Sequence, residues 1–405
     1  AVLLLARWAD ITDKRTGQCP LDISPLFESI DSLYGAGAIL RDLLVDAGYR
    51  DHLAARGQRQ IVLIGYSDGN KEGGILASRW ALQVAQTQII EAAQQQGVDA
   101  VIFHVRGGTP ARGGGQAEQL VESTPKGAIR NVLRLTEQGE VVNQNYGLRP
   151  LAMRTLERSF AALARATAHV DDRFSPNAEQ REAVALMAER SMAAYRALVF
   201  EPADFLAYFR GVTPIDVIER MHIGSRAAAR EDAEGLPALR ALPWVFAWTQ
   251  SRHMLPGWYG MGTGLAAALD RHGETVLGEM LARWPFFGYL FDDVESMLAR
   301  TDLQIASIYD ELVPAELRRF AAPIRAEFDL TVQGVLRLRG CAKLLDGDPT
   351  LQRSIKLRNP YIDPMHLMQV DLLQRWRATE RSDPALFAAL LASISGIAQG
   401  LQATG

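Results

Sequence analysis

Three short apolar runs, each ending in charged residues and followed by a helix-like segment, constrain the fold of this chain more than any other feature. The runs span residues 21–28, 60–71 and 100–103. Their charged ends recur roughly 40 residues apart, as successive βα units do. The pattern therefore predicts an α/β fold of parallel strands. Glu28, Asp68, His104 and Arg106 would lie together at the carboxyl ends of these strands.

The third run leads into a glycine-rich loop at residues 104–115. Two arginines, one histidine and five glycines lie within it. Guanidinium groups and backbone N–H groups that converge on one point form an anion site. The loop is therefore predicted to hold phosphate or carboxylate beyond a strand end. A flexible linker is the alternative, although two arginines are unusual in so short a linker.

The predicted secondary structure changes near residue 150. Residues 1–150 are predicted to form βα units, and residues 151–405 to be mostly helical. The predicted helical segments are 151–170, 176–197, 263–283, 291–311, 314–345, 362–380 and 384–402.

Two further strands are predicted outside the three apolar runs. One lies at 131–137, where it ends before a glycine. The other lies at 241–250 and interrupts the helical region. Trp244, Phe246 and Trp248 alternate there as in a strand buried on one face, so we expect them to be core residues rather than ligand contacts.

Composition excludes several classes of function. The 405 residues carry a net charge of −4, and the arginines are scattered along the sequence. This pattern does not indicate the concentrated positive charge that nucleic-acid binding needs. No run was expected to cross a bilayer, so a soluble protein is predicted. Cys19 and Cys341 lack metal-ligand spacing and are expected to be reduced thiols of a cytoplasmic protein. Residues 1–8 read like the middle of a helix, so we expect the C-terminal part of a longer chain.

Several motifs in fixed order resemble the C-terminal half of phosphoenolpyruvate carboxylase. Each motif alone is weak, but the ordered set is highly specific. The motifs are Gly65-Tyr66-Ser67-Asp68 with Lys71, the loop 104–115, Thr136-Glu137-Gln138-Gly139-Glu140, Gly224-Ser225-Arg226, Leu239-Arg240-Ala241-Leu242-Pro243-Trp244, Phe246-Ala247-Trp248-Thr249-Gln250, Leu357-Arg358-Asn359-Pro360-Tyr361 and Thr404-Gly405.

The resemblance implies the conversion of phosphoenolpyruvate and bicarbonate to oxaloacetate and phosphate, through carboxyphosphate and the pyruvate enolate. It also implies a (β/α)8 TIM-type barrel, here its C-terminal strands only, with a large all-α extension. A cytoplasmic homotetramer that is regulated allosterically and replenishes the citric acid cycle is expected from the family. Since nearly every reacting species is anionic, the site needs Mg²⁺ or Mn²⁺ and several cations.

The resemblance assigns the metal to two carboxylates, Glu28 and Asp68. Two carboxylates that leave positions open for substrate oxygens are a usual arrangement for such hard ions. For Asp68 the alternative is a helix N-cap, which is common after a strand.

The resemblance assigns the substrate phosphate to Arg106 and Arg240, and further cationic roles to Arg226 and Lys71. A guanidinium group suits this role because its fork binds two phosphoryl oxygens at once. An ordinary surface salt bridge is the alternative for Arg226 and Arg240.

The loop itself carries two more residues with roles implied by the family. Arg112 matches the arginine that stabilises developing negative charge during phosphoryl transfer. His104 matches the histidine that helps to bind substrate and bicarbonate or to guide CO2. A structural histidine tied to a backbone carbonyl is the alternative for His104.

The sequence departs from the family in places. Val105 replaces a loop glycine, and it would be strained if that position needs a positive φ. In the family's aspartate or malate site, Arg112 and Arg358 are present, Arg300 occupies a lysine position and Ala403 replaces an asparagine. Because Ala403 offers no amide to the inhibitor, weak feedback inhibition by aspartate or malate is expected.

A different phosphoenolpyruvate-using enzyme on the same barrel would keep the metal carboxylates but has no reason for the loop with two arginines. Two other readings of function are weighed against it. The family's catalytic base histidine, a further phosphate-binding arginine and the first barrel strands belong to the N-terminal half. An active carboxylase represented by its C-terminal half is the first reading. A truncated, inactive homologue that binds anions or dicarboxylates, or acts as a helical interaction module, is the second.

Overall fold

A computed structural model describes residues 1–221 and 235–403 of the chain. The chain forms two compact units whose segments alternate along the sequence. Unit 1 contains residues 1–66, 80–106 and 116–175, and unit 2 contains residues 67–79, 107–115 and 176–405. The units therefore do not follow the predicted boundary at residue 150.

Unit 1 is built on a parallel sheet of four strands among the described residues, in the order β1-β2-β3-β4. The strands are β1 (Leu26–Phe27), β2 (Arg59–Gly65), β3 (Asp99–Val105) and β4 (Arg134–Leu135). The predicted α/β class and the run of parallel strands are confirmed. The strand predicted at 131–137 is shorter than expected. The order is open, so these four strands do not by themselves form a closed barrel.

Helices join the strands of unit 1, as parallel strands require. The helices of unit 1 are α1 (Val2–Trp8), α2 (Ile30–Val45), α3 (Ala47–Ala55), the second half of α4 (Ser67–Gln95), α5 (Ala117–Ser123), α6 (Gly139–Tyr146) and α7 (Arg149–Ala168). Of these, α2 to α5 lie between strands, whereas α1 precedes β1 and α6 and α7 follow β4. Local sequence sets several of their starts. Ser29 caps α2 by accepting from the N–H of Ser32, and Asp46 caps α3 by accepting from the N–H of Tyr49.

Unit 2 is helical. Besides the first turns of α4, its helices are α8 (Ala178–Val199), α9 (Phe205–Val212), α10 (Ile215–Ile218), α11 (Gly235–Ala238), α12 (Ala241–Gln250), α13 (Met261–Arg283), α14 (Pro285–Arg300), α15 (Leu303–Asp310), α16 (Ala321–Arg339), α17 (Pro349–Ala378) and α18 (Pro384–Leu401). The long helices confirm the prediction that the chain is mostly helical after residue 150.

The strand predicted at 241–250 is wrong, because these residues form helix α12. Trp244 and Trp248 are four residues apart and lie on one helix face, with ring centroids 5.6 Å apart. Phe246 is also buried, on another face. A short apolar run that is buried all round shows no helical or alternating phase, so its spacing alone does not distinguish helix from strand. The prediction that all three are core residues is confirmed.

The expectation that no run could cross a bilayer is also wrong by length and composition. Helix α18 has 18 residues, a mean hydropathy of 1.6 over that length and few charged groups. Only 28% of it is buried within this chain. Its buried face packs on α17, and the side-chain amide of Gln250 donates to the carbonyl of Ile394. Helix α18 thus packs within unit 2 along one face only.

Candidate active site

His104 is fully buried near the carboxyl end of β3 in unit 1. Its Nδ1 lies 2.9 Å from the hydroxyl of Tyr66, while its Nε2 has no hydrogen-bond partner among the described residues. Burial, with a smaller contribution from neighbouring Arg106, lowers the pKa of His104 to about 3. The imidazole is therefore neutral at pH 7 and has one buried nitrogen for which a ligand is a natural partner.

Arg106 is also buried, and the segment after β4 fixes its backbone. The Thr136 hydroxyl accepts from the Arg106 N–H and donates to the Arg106 carbonyl, both at 2.9 Å. The Thr136 N–H donates to the carbonyl of His104. The guanidinium group lies 3.9 Å from the Glu137 carboxylate. The motif that begins at Thr136 thus fixes the backbone of both His104 and Arg106 at the carboxyl end of β3.

Val105 is the last residue of β3 and pairs in register with Gly65. Its carbonyl accepts from the N–H of Tyr66, and its backbone is extended. A β-branched residue favours this conformation. The strain that was expected at Val105 if the position needed a positive φ is therefore absent.

Glu28 directly follows β1, and its position depends on the glycine that ends β2. A Cβ added at Gly65 would lie only 2.5 Å from the Cβ of Glu28 and 3.1 Å from its Oε2. The end of β2 therefore leaves room for this carboxylate. Neither at Glu28 nor elsewhere do the described residues contain a group of three or more His, Cys, Asp or Glu side chains that could hold a metal.

In unit 2 the glycine loop forms a closed, packed turn rather than an open linker. The Gly107 N–H donates to the carbonyl of Arg112 at 2.7 Å, and the carbonyl of Thr109 accepts from the N–H groups of Arg112 and Gly114. Gly113 has φ 81°, a conformation that glycine adopts readily. These hydrogen bonds favour a structured turn over the alternative of a flexible linker.

Arg112 folds back across this turn and is 8% exposed. Its Nε donates to the hydroxyl of Ser67 at 3.1 Å. A Cβ at Gly107 would lie 2.7 Å from the Arg112 Cζ, so the loop needs a glycine there. Ser67 and Gly107 thus hold the buried guanidinium group of Arg112 against the loop.

The first turn of α4 carries two more predicted site residues. Asp68 lies within this turn, and the N-cap is Tyr66, which makes no side-chain cap. The reading of Asp68 as a helix N-cap is therefore wrong. Lys71 is buried, and its ammonium group donates to the carbonyls of Leu239 and Pro237.

Lys71 therefore contacts the segment that leads directly to Arg240. Arg240 occupies the N-cap position of α12 and is half-buried. The structure thus brings the segment ending at Arg240 next to Lys71. Arg226 lies outside the described residues.

The predicted regulatory arginines lie near each other in unit 2. Arg300 ends α14, and its Nε is buried without a hydrogen-bond partner among the described residues. Burial, and then the charge of Arg358, lower the pKa of Arg300 to about 10. Arg358 donates to the carbonyl of Gly400 at 2.7 Å, and Ala403 is buried close by in the sequence. Two guanidinium groups held this way favour an anion.

Comparison with known proteins decides the family. The family model described as phosphoenolpyruvate carboxylase matches residues 1–405. The chain belongs to the phosphoenolpyruvate carboxylase family.

Curated relatives carry the family name. A phosphoenolpyruvate carboxylase of Xanthomonas oryzae pv. oryzae is 50% identical over 406 residues, which cover all of this chain and 45% of the relative. One of Roseiflexus castenholzii is 42% identical over 95% of this chain and 42% of its own length. The chain thus spans about half the length of the curated relatives it matches.

Several contacts that hold the predicted site residues of this chain could not be predicted from its sequence. In the sequence Tyr66 and Thr136 stand out only as members of motifs, yet they contact His104 and Arg106. Nothing in the sequence indicates the ion pair of Arg79 with Asp293, because its partners lie 214 residues apart. No local pattern reports a contact at that separation.

Proposed function

We propose that the protein to which this chain belongs is an active phosphoenolpyruvate carboxylase. The observation that carries the proposal is the burial of Arg106 and Arg112, each held in place by hydrogen bonds and each matching a family arginine. A guanidinium group that is held in place can bind two phosphoryl oxygens through its planar fork. The reaction would supply oxaloacetate to the citric acid cycle.

In this proposal Glu28 and Asp68 hold Mg²⁺ or Mn²⁺. Their hard oxygen donors, and the room that Gly65 leaves for Glu28, fit such an ion. When bound, the metal supplies Lewis-acid stabilisation of negative charge on substrate oxygens.

The chain's own residues would then act on the anionic reactants. Arg106, Arg240 and Lys71 neutralise the phosphoenolpyruvate charges, with Arg226 in a similar role. A bicarbonate oxygen forms a bond to phosphorus while the bond from phosphorus to the enol oxygen breaks, which gives carboxyphosphate and the enolate. Arg112 stabilises the charge that develops in this step.

Neutral His104 would orient bicarbonate or CO2 through its buried Nε2. Carboxyphosphate releases CO2 and phosphate, and the enolate carbon forms its new bond to CO2. The closed glycine loop would keep water away, so that the enolate is carboxylated rather than protonated.

Isotope transfer tests this chemistry. Bicarbonate labelled with ¹⁸O is supplied with phosphoenolpyruvate and Mn²⁺, and the products are analysed by mass spectrometry. Attack of bicarbonate on phosphorus predicts one labelled oxygen in each phosphate released. Phosphate without label would overturn the proposed mechanism, even if oxaloacetate forms.

We further propose that the four-stranded sheet of unit 1 is part of a (β/α)8 barrel completed by other strands of the protein. A homotetramer in the cytoplasm is proposed from the family. Arg300 and Arg358 are proposed to bind aspartate or malate. Inhibition should be weak, because Ala403 lacks the amide that the family's asparagine offers to the inhibitor.

A further inference from the structure

Arg79 connects the glycine loop to helix α14. Its Nη2 donates to the carbonyl of Pro110 at 3.0 Å and to the Asp293 carboxylate at 2.7 Å. Pro110 begins a 3-10 turn that ends at Arg112, and Asp293 lies in the middle of α14. All of these residues belong to unit 2.

The ion pair between Arg79 and Asp293 is partly buried, so it is stronger than an ion pair on the surface. The Arg79 and Asp293 side chains are only 16% and 22% exposed. Hydrogen bonds to charged groups in such surroundings are stronger than neutral ones. A single nitrogen carries both bonds, so the loop carbonyl and the helix carboxylate share one donor group.

We infer that Arg79 is a positioning residue for Arg112, an inference that rests on the proposed role of the loop arginine. The 3-10 turn packs against α14 and α12, and Arg79 ties its first carbonyl to α14. Releasing this carbonyl frees the turn at the end opposite Arg112. The guanidinium group of Arg112 then loses its fixed place, while Arg79 acts only through its contacts with Pro110 and Asp293.

The substitution Arg79→Met tests the inference in the full-length gene product, because methionine keeps an unbranched apolar stem and removes the donors. Asp293→Asn is the second variant, which keeps the shape of the partner and removes its charge. Arg337→Met is the control, since Arg337 makes an exposed ion pair with Glu274 elsewhere in unit 2.

The first readout is tryptic cleavage after Arg112, followed by mass spectrometry, which does not depend on activity. In the wild type this bond is protected by burial of the loop. We expect Arg79→Met to raise the cleavage rate after Arg112 about tenfold relative to other sites, which corresponds to about 1.4 kcal/mol. Asp293→Asn should give a smaller rise, because the Pro110 bond remains, and Arg337→Met should give none.

The second readout is steady-state carboxylation. Arg79→Met should lower kcat about tenfold and leave the KM for phosphoenolpyruvate within about twofold, because the phosphate-binding arginines are untouched. Unchanged cleavage after Arg112 in both Arg79→Met and Asp293→Asn would overturn the inference. So would equally raised cleavage at all sites, which indicates general unfolding. If the wild type is inactive, the proposed function fails, and the cleavage comparison still decides the role of Arg79.

Discussion

The buried imidazole of His104 makes the stability of unit 1 depend on pH in a way that one substitution can remove. Its pKa falls to about 3 in the folded chain, mainly through burial, compared with about 6.5 when exposed. Between these values the unfolded chain binds the proton and the folded chain does not. Stability is therefore fully kept above pH 6.5, and it is lost progressively as the pH falls toward 3.

The size of the effect follows from the shift. Each pH unit below about 6.5 costs about 1.4 kcal/mol, so His104 alone destabilises the fold by about 2 kcal/mol at pH 5. His104→Asn keeps a polar atom near the position of Nδ1, within reach of the Tyr66 hydroxyl. The asparagine does not titrate, so the variant should lose about 2 kcal/mol less than the wild type between pH 7 and pH 5.

Urea titrations at pH 7, 6 and 5 measure this difference. Hydrogen exchange of the peptide 99–105, read by mass spectrometry, reports unfolding of the segment that holds His104 rather than of the whole chain. His169→Asn is the control, because it makes the same substitution at an exposed histidine of unit 1, away from the buried site. Equal pH dependence in the wild type and His104→Asn would refute the argument from burial.

Three further predictions concern the loop, the metal and the inhibitor. Gly107→Ala places a methyl group against Arg112, so we expect a stability loss of about 1–3 kcal/mol in thermal melts and a lower kcat; a wild-type kcat would contradict the packing argument. Glu28→Gln or Asp68→Asn should weaken Mn²⁺ binding at least about tenfold in titrations followed by electron paramagnetic resonance, and unchanged affinity would exclude them as ligands. Ala403→Asn should strengthen aspartate inhibition by about tenfold or more, since a hydrogen bond to a charged acceptor contributes about 1.5–3 kcal/mol; tight inhibition of the wild type would contradict the premise.

The sequence was sufficient to predict features that depend on neighbouring residues. The apolar runs and their charged ends predicted the parallel strands, because each run is short, bounded and followed by a helix. The glycine spacing around Arg112 predicted a special loop, which the close approach of Gly107 explains.

Features that depend on distant packing could not be predicted. Trp244 and Trp248 are buried all round, so alternation suggested a strand where a helix forms. The backbone of Val105 is set by its pairing with Gly65, which a comparison of loop motifs does not reveal. The contact of Arg79 with Asp293 joins residues 214 positions apart, and no periodicity reports such a pair.

A single assay decides whether this chain belongs to an active carboxylase. Oxaloacetate formation from phosphoenolpyruvate with Mn²⁺ is measured with and without bicarbonate, on the protein as its native gene encodes it, with its intact mass recorded in the same preparation. We predict bicarbonate-dependent turnover from a product about twice the length of this chain. No turnover from a folded product that binds Mn²⁺ and phosphoenolpyruvate would contradict the claim and would favour an inactive anion-binding homologue.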